Sequence, residues 1–85
     1  MNNFPLRICV LQRGWVVVGR YEETEKTFII HNASVVRVWG TTGGLGQIAE
    51  GGPTPETKLD KTPTVRGRHD AMIFTIDCDE SKWNM

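Results

Sequence analysis

The chain has 85 residues, 39% hydrophobic and 24% charged, which fits one globular domain over residues 1–85 with a single modest core and excludes a disordered composition. Ten basic and ten acidic side chains cancel, so no net field draws the monomer to DNA or RNA, and nucleic acid is disfavoured as a partner unless a local basic face exists. No apolar run approaches the roughly 20 residues that span a bilayer, and residues 1–5 lack the charged-then-apolar pattern of a signal peptide, so a cytoplasmic protein without membrane contact is expected.

Residues 7–11 (RICVL) and 15–21 (WVVVGRY) carry the β-branched and aromatic side chains that strands favour, with Arg13-Gly14 as the turn between them. Residues 22–25 are a polar break, and residues 27–31 (TFIIH) read as the return strand of a hairpin. A second turn is expected at His31-Asn32-Ala33, because asparagine tolerates the left-handed conformation. Residues 34–39 (SVVRVW) form the next strand, with Val36 and Val38 on one face and Val35, Arg37 and Trp39 on the other. Residues 44–50 (GLGQIAE) predict one to two helical turns with Leu45, Ile48 and Ala49 on one side, ended by Gly51-Gly52-Pro53. The proline-rich residues 53–63 demand extended or turn backbone, with Leu59 as their large apolar anchor. A short strand at 64–66, a turn through Gly67 and a closing strand at 71–78 (AMIFTIDC) follow, and Trp83 lies on a tail.

Short strands at about ten-residue spacing predict a mainly β fold, a small antiparallel barrel or curled sheet with one short helical insert. The expected core is Ile8, Val10, Val16, Val18, Phe28, Ile30, Val36, Val38, Ile48, Ile73 and Thr75, or their neighbours one residue along. Cys9 and Cys78 lie in or beside apolar runs and read as reduced, buried thiols. Asn32-Ala33-Ser34 matches the glycosylation acceptor pattern, which has no meaning without secretion.

The candidate site is the stretch from Arg37 through Trp39, Gly40, Thr41, Thr42, Gly43 and Gly44. A strand, a glycine loop and a helix start expose backbone N–H groups to an anion, with the threonine hydroxyls as further donors and Arg37 as the charge. The loop fails both phosphate fingerprints. Gln47 follows Gly46 where a P-loop needs Gly-Lys-Ser/Thr, and the helix stops too soon for a dinucleotide-binding βαβ unit. Two readings stay open: a ligand contact, or a tight corner between strand and helix. Trp15 and Trp39 divide the same way, between a stacking platform for a base and an anchor in a core or interface. Catalysis is not expected, since His31 and His69 sit at turns without a serine or cysteine spaced as an activated nucleophile. No metal or cofactor is expected either, because the cysteines and histidines lack ligand spacing.

The chain resembles a family of small proteins encoded by bacteriophages and prophages. The resemblance is carried by residues 14–21 (GWVVVGRY), 32–42 (NASVVRVWGTT), 44–49 (GLGQIA) and 52–55 (GPTP). It continues through Thr57, Leu59, Asp60 and His69 to residues 76–79 (IDCD) and Lys82-Trp83. It implies a phage origin and expression in the cytoplasm of an infected bacterium. By analogy of size and context it implies a non-enzymatic role against host immunity, with a cyclic or adenine-derived nucleotide as the sequestered ligand. A chain this small encloses a nucleotide best between subunits, so a homo-oligomer is expected, with Arg66 or Arg68 reaching in from a neighbour. The alternatives are a protein-binding inhibitor of a host enzyme or a virion component, and a small barrel that binds single-stranded nucleic acid.

Overall fold

The computed structural model describes residues 4–84. Six strands form one antiparallel sheet: β1 (Leu6–Leu11), β2 (Val16–Glu23), β3 (Thr27–Val38), β4 (Lys58–Lys61), β5 (Val65–Arg68) and β6 (Met72–Asp77). Helix α1 (Leu45–Gly51) is inserted between β3 and β4. The spatial order is β4-β3-β2-β1-β6, and β5 extends along the edge of β3 that β4 also occupies. β6 pairs with β1 and the sheet curls without closing, so of the two expected forms the fold is the curled sheet.

β3 departs from the expected pair of strands. It runs unbroken for 12 residues, and Asn32 is a bulge rather than a turn. Its φ is 51°, the left-handed value expected, but the chain keeps pairing with β2 on both sides: Val17 faces Val35, and Tyr21 faces Ile30. The extra residue lets Phe28 and Ile30 share a face with Ala33 and Val35, which a regular strand would place oppositely.

Both faces of the sheet are buried, each for a different reason. On one face Leu6, Ile8, Val16, Val18 and Val36 are covered by Leu45, Ile48 and Ala49 of α1 and by Trp83 from the tail. The apolar side of α1 is therefore the one that its 3–4 spacing predicts, and the helix ends where the Gly52 N–H bonds to the Ile48 carbonyl at 2.8 Å. On the other face Cys9, Val17, Tyr21, Phe28, Ile30 and Ala33 pack with Val65, Ala71 and Met72 from the corner between β5 and β6. Full burial of each such aliphatic side chain stabilises the fold by about 1.5–3 kcal/mol. Two expected core residues are corrected: Val38 is 44% and Ile73 57% exposed. α1 covers its face only as far as Val36, and Ile73 is displaced by the register shift between β1 and β6.

The two thiols belong to different faces, Cys9 to the second cluster and Cys78 to the first. Both are free. Burial pushes the Cys9 thiol up to about 12 and the Cys78 thiol up to about 11. Cys9 is buried and Cys78 half-buried, so a thiol reagent at neutral pH should reach Cys9 only after unfolding and label Cys78 slowly in the native chain, and fast labelling of Cys9 would contradict this placement. The same shifts fix a sign. Between about pH 9 and 11 the unfolded chain releases protons that the folded chain retains, so stability should fall as pH rises through that window.

Candidate functional site

The glycine loop leaves β3 at Trp39 and turns sharply against the segment before β4. Gly40 adopts a φ of 64°, and a Cβ there would lie 2.4 Å from the Glu56 carbonyl carbon, so this position admits only glycine. The Thr54 hydroxyl donates to the Gly40 carbonyl at 2.6 Å and the Thr57 hydroxyl to the Trp39 carbonyl at 2.7 Å, clamping the turn from behind. Inside the loop, the Gly43 N–H donates to Gln47 Oε1 at 2.6 Å and the Gly44 N–H to the Thr41 hydroxyl at 3.0 Å. The Thr42 hydroxyl donates to that same Gln47 oxygen at 3.3 Å. The loop thus uses its own side chains where an anion would need free donors. The close approach to Glu56 accounts for Gly40 as a tight corner between β3 and the segment before β4.

The expected site residues fall into two groups. Arg37, Trp39 and residues 40–44 are contiguous at one end of β3. Arg66 and Arg68 lie on β5 opposite Ile29 and Thr27, at the other end of β3. Eight residues separate Ile29 from Arg37, about 25 Å at strand rise, so a single chain does not bring Arg66 or Arg68 to the loop. Arg68 faces Asp70 at 3.6 Å instead. His31 and His69 stand beside carboxylates, Glu22 at 2.7 Å and Glu23 at 3.5 Å. Among the described residues no three His, Cys, Asp or Glu side chains converge as a metal site, and no helix is long and apolar enough to cross a membrane.

The structure adds neighbours to Arg37 that strand reading alone does not supply. The β3–β4 register sets Asp60 opposite Val35, and the Arg37 Nε–H donates to Asp60 Oδ2 at 2.7 Å. The β2–β3 register carries Trp15 to the same end of the sheet, since Val17 faces Val35 two residues further on. Trp15, Val36, Arg37, Asp60, Lys61 and Thr62 help line an open cleft of about 510 Å³. Lys61 Nζ donates to the Asn32 side-chain oxygen, which ties β4 to the bulge.

That end of the sheet also gathers exposed apolar surface. Among the described residues the exposed large hydrophobic side chains are Phe4, Trp15, Val38, Trp39, Ile73 and Phe74. All but Phe4 belong to the end where β1 turns into β2, β3 finishes and β6 begins: Val10 faces both Val16 and Phe74, and Leu11 faces Met72. Phe4 stacks on His31 at the opposite end, with ring centroids 5.4 Å apart. Trp39 is exposed, while Tyr21 and Trp83 are core residues at 5% and 6% exposure. Comparison with family models, curated proteins and solved structures gives no match to this chain.

Proposed function

We propose that this chain is a non-enzymatic binding protein that engages a protein partner through the apolar end of its curled sheet. The observation that carries this reading is the grouping of Trp15, Val38, Trp39, Ile73 and Phe74 at that end, against one exposed aromatic elsewhere among the described residues. Aromatic side chains bury about 150–250 Å² each and dominate interface energetics, and exposed apolar side chains gathered at one end of a small domain suit an interaction surface. The resemblance to phage and prophage proteins supplies the setting: the cytoplasm of an infected bacterium, and a host enzyme or a virion component as partner.

The test is capture from host lysate by the immobilised wild-type chain and by a Trp15→Ser/Phe74→Ser double variant. Both positions are exposed, so the variant should keep the wild-type melting temperature. The expected result is one partner retained stoichiometrically by the wild type and lost by the variant. Equal recovery on both, or none on either, would defeat the reading.

A second reading is sequestration of a cyclic or adenine-derived nucleotide, with a homo-oligomer closing the pocket. What favours it is Trp15 sharing a cleft with Arg37 and Lys61, aromatic and cationic groups suited to a base and a phosphate.

A further inference from the structure

We infer that the cleft between Trp15 and Arg37 is a site for a mononucleotide-type ligand, with the base against the Trp15 indole and the phosphate on the outer edge of the Arg37 guanidinium. The ligand class rests on the second reading above. The location is the cleft that favours that reading, and the inference deepens it by assigning the base to Trp15 and the phosphate to Arg37.

Three features carry the inference. Trp15 is 58% exposed, yet its backbone is held: the Leu11 N–H donates to the Trp15 carbonyl at 2.8 Å across the 3₁₀ turn Gln12–Gly14. An indole fixed at its base and open on its side is a stacking platform, and every nucleobase offers it a face. Arg37 is oriented in the same way. Asp60 takes its Nε–H, and among the described residues its terminal nitrogens make no hydrogen bond, so the fork that fits a phosphate remains available. Lys61, whose Nζ donates to the Asn32 side-chain oxygen, also lines the cleft. The cleft volume of about 510 Å³ falls within the range of small-molecule sites, about 300–1,000 Å³.

The two halves of the cleft demand both halves of the ligand. A free phosphate leaves the indole unused, and a nucleoside leaves the guanidinium fork unused. Asp60 enters with two opposed effects: it aims the guanidinium and it repels the anion. Replacing it with asparagine keeps an oxygen that accepts from Nε while removing the charge, whereas alanine removes both.

The experiment titrates the 85-residue chain with AMP, adenosine and inorganic phosphate, following the Trp indole N–H signals by NMR and the affinity by calorimetry. AMP should shift the Trp15 signal and leave the buried Trp83 signal in place. Adenosine and phosphate should each bind about tenfold more weakly or worse. Arg37→Gln should weaken AMP binding at least about tenfold, while Asp60→Asn should strengthen it and Asp60→Ala weaken it. An unmoved Trp15 signal at millimolar AMP, or AMP binding unchanged in Arg37→Gln, would overturn the site. Partner capture that depends on Trp15 and Phe74 in a chain that ignores AMP would sink this inference and leave the protein-binding reading standing.

Discussion

Truncating Trp83 to alanine should destabilise the chain by about 3–5 kcal/mol, the range for removing a large buried aromatic. A domain of this size holds about 4–13 kcal/mol in total, so the loss would consume a large share of its stability. At about 4–8 °C per kcal/mol, the melting temperature would drop by well over ten degrees. Trp83 is 6% exposed and joins Leu6, Ile8, Leu45, Ile48 and Ala49 in one cluster, so its loss uncovers the sheet face and the helix together. Its Nε1 is buried without a hydrogen-bond partner among the described residues, so part of what the indole contributes is offset by an unsatisfied donor. Phenylalanine keeps most of the packing without that donor, and Trp83→Phe should stay within about 1.5 kcal/mol of wild type. Urea unfolding of the two variants decides the matter: similar midpoints would show that the tail is not part of the core.

The tail is clasped as well as packed. Arg20 Nη1 lies 2.5 Å from Glu80 Oε1, the Leu6 N–H donates to Glu80 Oε2 at 3.2 Å, and the Asp79 N–H donates to the Ala49 carbonyl at 2.8 Å. The hydrogen bond from Arg20, and then that from the Leu6 amide, holds the Glu80 carboxyl below its usual 4.5. A carboxyl lowered in the folded state stabilises it above the unfolded pKa and loses that effect as pH falls. The clasp should therefore weaken in acid below about pH 4.5, and Trp83 should become more accessible there.

What could be read from residues alone follows from the range of the forces involved. The helix was legible because Leu45, Ile48 and Ala49 set its buried side and Gly52 its end, all within one short segment. Asn32 was legible as a left-handed residue, but the same backbone serves a turn or a bulge. Only the pairing of Val35 and Ile30 with one common strand decides between them. Val38 continues the alternation of Val36, yet alternation carries no information about where the covering helix stops. Trp83 follows the polar run Asp79-Glu80-Ser81-Lys82 and carries no local sign that it folds back onto Ala49 and Leu6. The candidate site divides in the same way. Arg37 and Trp39 are visible in their own strand, whereas Trp15 and Asp60 reach Arg37 only through two registers that no local pattern encodes.

Gly19→Ala should cost about 1–3 kcal/mol, although it adds a single methyl to a strand. Glycine in a strand is ordinarily a weakness, and alanine would restrict the unfolded chain and gain about 0.4–1 kcal/mol where room exists. Here there is no room. A Cβ on Gly19 would lie 2.6 Å from Ile30 Cγ2, 2.7 Å from the His31 carbonyl oxygen and 3.2 Å from Ala33 Cα. Those contacts come from the Asn32 bulge, which bends β3 over β2 at this point, so the methyl can be accommodated only by reopening the bulge or moving a fully buried isoleucine. Reopening the bulge would shift the register that places Val35 and Arg37 beside Trp15, so the same variant should also disturb the cleft. Gly46→Ala is the control. Nothing lies within 4 Å of a Cβ there, and the residue is in α1, so alanine should stabilise by about 0.5–1 kcal/mol through helix propensity. Thermal and urea unfolding of both variants should therefore give opposite signs. If Gly19→Ala matched or exceeded wild type, the close crossing at the bulge would not exist in solution.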